Sequence, residues 1–154
     1  MRHTKFKKVE FNNKKKIFRL TYNSNLMVEC PYVALGIKEK VIDAGPDKEV
    51  GHHSFYFVLE NGKKDYVPFD QPLYISNNPD YMRQELMFEL TMKIQYMIEN
   101  AGISKRELAR SLKTSVTQIN RLLDQTNYNK DLSRLIQIAA LLNYDFDWEF
   151  KKVA

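Results

Sequence analysis

The chain has 154 residues, a formal net charge of +5 and 44% hydrophobic residues, enough for one ordinary domain or two small ones with modest cores. No apolar run approaches the length that spans a bilayer, so no membrane partner is expected, and the lone Cys30 excludes an intrachain disulfide and fits a reducing compartment. Met1-Arg2-His3-Thr4-Lys5 is basic without a following apolar stretch, does not read as a secretory signal, and the expected location is cytoplasmic.

In chain order, the first half reads as strands: Phe6 to Phe11, Ile17 to Tyr22, Leu26 to Cys30, Ser54 to Glu60 and Asp65 to Pro68. Asn12-Asn13, Asn23-Ser24-Asn25 and Asn61-Gly62 separate them, the last being a strong hairpin signal, and together they predict one small antiparallel sheet. Between Tyr32 and His53 two readings stand. Ala34 to Ile37 and Val41-Ile42 suggest one more strand, whereas Ala44-Gly45-Pro46-Asp47 demands a turn and favours a long loop. His52 and His53 are adjacent, project in different directions and have no spaced Cys/His set near them, so they read as loop residues and no metal or cofactor is expected.

Ile75 to Asp80, with Pro79 after Asn78, marks a boundary. Residues 1–77 are therefore read as a small antiparallel β-sheet domain and residues 78–154 as a helical domain. A long helix runs from Pro79 to Glu99, its main apolar face Leu86, Leu90, Ile94 and Met97, with Met87 and Ile98 alongside. Phe88, Met92 and Tyr96 form a second apolar row on nearly the opposite side, which needs a cover: either the amino-terminal sheet or a second copy of the chain.

Asn100-Ala101-Gly102 ends that helix, and Ser104 with Glu107 opens the next as a capping box. Leu108, Ala109 and Leu112 share its inner face, and the small Ala109 permits close approach of a neighbouring helix. Ser115 is a second N-cap. Ile119, Leu122 and Leu123 follow at buried spacing, and Val116, Thr117, Gln118, Asn120 and Arg121 are left outside. Two short helices on a tight turn, the second presenting groups that hydrogen-bond base edges and phosphates, predict a helix-turn-helix that reads double-stranded DNA. The last helix covers Asp131 to Leu142, with Asp131 as N-cap or first-turn anion and Leu132, Leu135, Ile136, Ala139 and Leu142 inward. Then Tyr144, Phe146, Trp148 and Phe150 alternate with Asp145, Asp147 and Glu149, which predicts a carboxy-terminal strand paired within the chain or across a dimer. Its acidic stripe is either a solvated face or a docking surface for a basic partner.

The run ISKRELARSLKTSVTQINRLLD, followed by DLSRLIQIAALLNYDF, resembles the Xre/Cro-type helix-turn-helix, above all the carboxy-terminal domain of HicB-like antitoxins, from roughly Tyr81 to Phe150. Glu107-Leu108-Ala109, Ser115, Ile119, Arg121-Leu122-Leu123, Leu135 and Ile138-Ala139 fall in the family's order. Lys105, Lys113 and Thr114 depart from it, standing where glutamine, glycine and an apolar residue are usual, and Lys113 at the turn implies a positive φ. A fainter resemblance ties the sheet half to small bacterial β-rich domains found beside helix-turn-helix domains, and no function comes with it.

The resemblance implies an α+β chain in which the β domain precedes a lambda-repressor-like domain of four to five helices with a terminal strand. It also implies phosphate contacts from the loop Gln125 to Lys130, here Asn129 and Lys130, and dimerisation involving the last strand. The expected DNA-binding residues are Lys105, Ser115, Val116, Thr117, Gln118, Asn120, Arg121, Asn129 and Lys130. Arg2, Lys5, Lys7, Lys8, Lys14, Lys15, Lys16 and Arg19 form a basic cluster that is either a solvated face, as charge runs ordinarily are, or a contact for phosphates. With no nucleophile elbow, phosphate loop or metal-binding helix, an enzyme is not expected. The expected function is a homodimeric, sequence-specific regulator, an antitoxin-type autorepressor being one form of it, with a toxin or other protein held by the β domain. The alternative is an interaction adaptor that keeps the helical fold without binding DNA.

Overall fold

A computed structural model describes residues 2–153. It is mixed α+β, with two three-stranded antiparallel sheets and five α-helices. The chain divides into two compact units, Met1–Met82 and Arg83–Ala154. No helix of the described residues is long and apolar enough to cross a membrane.

The first unit holds β1 (Phe6–Asn12), β2 (Ile17–Tyr22) and β3 (Met27–Pro31) in one sheet, and β4 (Val41–Pro46), β5 (Ser54–Leu59) and β6 (Lys64–Pro68) in the other. The expected single sheet is thus corrected to two. In β2, β3 and β5 every second side chain is buried, so each sheet has one face to bury, and Phe18, Leu20, Phe55 and Phe57 lie in one common core. Rings fill it: Phe18 lies 4.9 Å from Tyr32 and 5.1 Å from Phe55 between centroids, and Phe6 meets Phe55 edge to face at 5.2 Å. The buried Tyr22 hydroxyl donates to the Phe69 carbonyl at 2.7 Å, which satisfies the polar end of that ring.

The ambiguous stretch after Tyr32 resolves into a 3₁₀ turn, Tyr32–Leu35, and β4. Asn13, in the β1–β2 turn, explains how β4 is held. Its side-chain amide donates to the Val41 carbonyl at 2.8 Å and accepts from the Val41 N–H at 2.9 Å and from the Tyr32 hydroxyl at 3.0 Å. A side chain here does what a neighbouring strand's backbone would do, a pairing that strand periodicity cannot reveal. A short helix, α1 (Asp70–Ile75), was also absent from the sequence reading, being too brief to show a helical period.

The helical part comprises α2 (Pro79–Ala101), α3 (Lys105–Ser111), α4 (Val116–Leu123) and α5 (Leu132–Leu141). Ile94, Ile98, Leu108, Ile119, Leu122, Leu135 and Ile138 form the core of the second unit. The inward face of α2 is rotated from the expected one. Thr91 is fully buried beside Ile94, whereas Leu86 is 61% exposed. The reason is a polar node: the Thr91 hydroxyl donates to the Met87 carbonyl at 2.6 Å and accepts from the Lys130 ammonium at 2.7 Å, so a hydroxyl takes a central position that hydrophobicity assigns elsewhere. In α5 the buried residues are Leu135, Ile138 and Ala139, while Leu132 is exposed in the first turn. The second row on α2 is exposed, Phe88 at 39%, Met92 at 43% and Tyr96 at 65%.

The expected terminal strand is not formed. Tyr144 to Phe150 carries no regular secondary structure. Asn143, at φ 64°, ends α5 in a left-handed turn, with Asn143 N–H bonded to Ala140 O and Tyr144 N–H to Ala139 O. Beyond it the period-two pattern is present, but among the described residues no strand lies alongside to take up its backbone groups. Phe146 and Trp148 stack on each other instead, 5.5 Å between centroids.

Candidate nucleic-acid interface

Ser104 caps α3 by accepting from the Glu107 N–H at 3.1 Å, and Ser115 caps α4 by accepting from the Gln118 N–H at 3.2 Å. Only this half of the expected capping box is made among the described residues, for no bond returns from Glu107. The turn between the helices closes through Thr114 N–H to Ala109 O at 2.9 Å and Lys113 N–H to Arg110 O at 3.3 Å. These are the two bonds of a Schellman motif, whose C′ residue must be left-handed. Lys113 occupies it with φ 54°, as its place in the turn predicted. Ala109, almost fully buried, lets α3 and α4 cross closely.

The turn fixes the rotation of α4. Ile119, Leu122 and Leu123 are buried, and Val116, Thr117, Gln118, Asn120 and Arg121 are all exposed on the other side. Six of the nine expected residues, Ser115 included, are therefore brought together on one short helix and its cap. The Ser115 oxygen is used by the cap, and its O–H remains available as a donor. Lys105 Nζ donates to Asn120 Oδ1 at 2.7 Å, so a seventh expected residue meets one of the six and ties α4 to the start of α3.

The loop after α4 is more internally bonded than a solvent-facing reading implies. Asp124 accepts from the Thr126 N–H at 2.9 Å and hydroxyl at 2.8 Å, which holds its carboxyl below the usual range, and Asn127 Nδ2 donates to the Arg121 carbonyl at 3.2 Å. Asn129 accepts from Arg83 at 3.4 Å, and Arg83 also donates to the Tyr128 carbonyl at 2.7 Å. Lys130 reaches inward to Thr91 and to the Asp124 carbonyl, both at 2.7 Å. Burial lowers its pKa, opposed by the nearby Asp124 charge. Lys130 thus has a structural task that its place in a polar loop did not announce.

Beside α4 lies a polar cleft of about 400 Å³, lined among others by Thr114, Gln118, Arg121, Asn127, Lys130 and Arg134. Arg134 was missed in the sequence. Its Nη1 donates to the Leu112 carbonyl at 2.8 Å, which aims a half-buried guanidinium from the first turn of α5 into the cleft. The signal was a cation in a helix's first turn, where the dipole disfavours positive charge. Asp131, the cleft's carboxylate, caps α5 by accepting from the Ser133 N–H at 2.9 Å.

In the β unit, His53 Nδ1 lies 2.7 Å from the Thr4 carbonyl and His52 takes φ 68° in the β4–β5 loop. Cys30 is buried, and burial pushes its thiol up to about 12, so it is protonated at neutral pH. Compared with protein-family models, curated proteins and solved structures, the chain has no match in any of the three.

Proposed function

We propose that the chain is a sequence-specific regulator that binds double-stranded DNA through α4. The observation that carries this reading is the outward row Val116, Thr117, Gln118, Asn120 and Arg121 on a helix buried along its opposite side and capped at Ser115. Amide and guanidinium groups at this spacing suit base edges in a major groove, Val116 suits a thymine methyl, and the Ser115 cap suits a phosphate. The lambda-repressor-like arrangement, the likeness to HicB-type antitoxins and autorepression of an operon belong to the same proposal. So does the β unit as holder of a toxin or another protein.

One short recognition helix reads few base pairs, so the regulator acts as a homodimer on a two-fold site. The exposed Phe88, Met92 and Tyr96, with Tyr144 and Trp148 of the tail, supply the apolar surface for it. The same exposed surface favours the second reading, an adaptor that binds proteins and no DNA.

Selection of bound duplexes from a random pool, followed by binding at several salt concentrations, separates the two. The regulator yields a recurrent two-fold sequence, and Arg121→Ala weakens binding to it by about 1–3 kcal/mol without loss of fold. An adaptor yields no enriched sequence, and unchanged affinity of Arg121→Ala for a selected site removes α4 as the reading helix. For the dimer, sedimentation should show wild type dimeric and Trp148→Asp monomeric at micromolar concentration; a monomeric wild type refutes it.

A further inference from the structure

The cleft beside α4 is more than a margin of the base-reading row, and we infer that it is a seat for a phosphoryl group, anchored by Arg134 and Arg121. The inference deepens the DNA-binding reading and rests on it only for the source of the phosphoryl group.

Arg134 is held before any ligand arrives. Its contacts with the Leu112 carbonyl and, at 3.4 Å, with Gln137 use one terminal nitrogen, Nη1. Among the described residues Nη2 and Nε make no hydrogen bond, which leaves the edge of the guanidinium that forms paired bonds with phosphate oxygens. Arg121, on the same cleft, makes no side-chain hydrogen bond among the described residues, and its position is fixed by α4. The Thr114 hydroxyl and the Gln118 amide add neutral donors.

Against these stands Asp131, whose carboxylate is engaged at the start of α5. Lys130, tied to Thr91, contributes its charge to the field from the cleft wall. Arg121, Arg134 and Lys130 thus line the cleft against the single carboxylate of Asp131, and only the two arginines have donors to spare for a ligand. A ligand lacking negative charge would leave the guanidinium groups desolvated and unpaired, which makes an anion with several acceptor oxygens the fitting occupant. At about 400 Å³ the cleft is far larger than one phosphate ion, so the group enters attached to something: a nucleic-acid backbone or a free phosphorylated small molecule.

The test follows backbone amide and arginine Nε–H resonances of the full chain during titration with sodium phosphate, with sodium chloride at matched ionic strength as control. Phosphate-specific shifts at Arg134, Thr114 and Asn127 are expected, with about tenfold weaker affinity in Arg134→Gln. Arg121→Gln, at an exposed position, should weaken phosphate binding as well and guards against misfolding of the first variant. Shifts no larger than those of chloride overturn the inference.

Two further titrations identify the source. A short duplex that shifts the same resonances, with a salt slope about one unit lower in Arg134→Gln, assigns the seat to the DNA backbone. A nucleoside 5′-monophosphate that binds where the duplex does not keeps the phosphoryl seat and removes the DNA reading. Duplex binding through α4 that leaves the cleft resonances unmoved, with no phosphate effect, does the reverse.

Discussion

The β unit and the helical unit solve the same burial problem with different side chains. Among the largest fully buried residues of the first are Phe6, Phe18, Tyr22 and Phe55, and among those of the second are Ile94, Leu108, Ile119, Leu135 and Ile138. Rings spanning between two sheets concentrate cohesion in a few large contacts. Branched aliphatics between short helices spread it thinly, and the helices then depend on caps, a Schellman turn and the Thr91–Lys130 node for their exact placement. The unit with the thinner core is also the one that displays donors outward, so its surface chemistry is only as well positioned as those polar devices.

The contrast predicts unequal responses to single changes. Phe18→Ala, removing a ring in contact with Tyr32, Phe55 and Phe57, should destabilise the β unit by about 3–5 kcal/mol. Hydrogen exchange should show lost protection in β1 to β6 first; equal loss throughout α3 to α5 would break the comparison. Lys130→Ala should destabilise the helical unit by about 1–3 kcal/mol in urea unfolding, because Thr91 and the Asp124 carbonyl each lose a donor. A cost near zero would mean that the node is ornamental.

A third difference is visible in pH. The folded Cys30 thiol is pushed up to about 12, while in the unfolded chain it ionises near 9.0. Between those values the unfolded state has released a proton that the folded state keeps, so stability falls as pH rises, by about 1.4 kcal/mol per pH unit for this group. Cys30→Ala should flatten the stability profile between pH 9 and 10; an unaltered slope would show that the thiol is not shielded. The smallest effect expected is a gain. Lys113→Gly should raise the stability of the helical unit by about 0.5–1 kcal/mol, since φ 54° is strained for lysine and free for glycine, and a rise in Tm would register it.

Much of the helical unit was readable because its signals are local. Ser104, Ser115 and Asp131 cap helices at the expected places, and Lys113 adopts the positive φ that its place in the turn implied. What failed was non-local. Leu86 and Thr91 exchanged roles because the node that holds Thr91 reaches it from Lys130, far along the chain. The stretch Tyr144 to Phe150 has a strand's alternation, yet no strand lies beside it among the described residues, and alternation specifies a face, not a partner. In the candidate interface, α4 was legible from its apolar spacing, whereas Arg134 enters the cleft from α5 and is aimed by the carbonyl of Leu112. A single stretch of sequence does not show that meeting.

Asn13 has a consequence for how the β unit avoids misalignment. Val41 is buried, and a bulge separates Val41 from Asp43 where β4 joins β5. Sliding β4 by one position would turn Val41 outward and bring Ile42 inward, exchanging the strand's two sides. Because the Asn13 amide grips both the N–H and the carbonyl of Val41, that slide costs two hydrogen bonds at once, and the slipped pairing is disfavoured from its first residue. The β1–β2 turn therefore works as a register lock for a strand to which it is not adjacent in sequence.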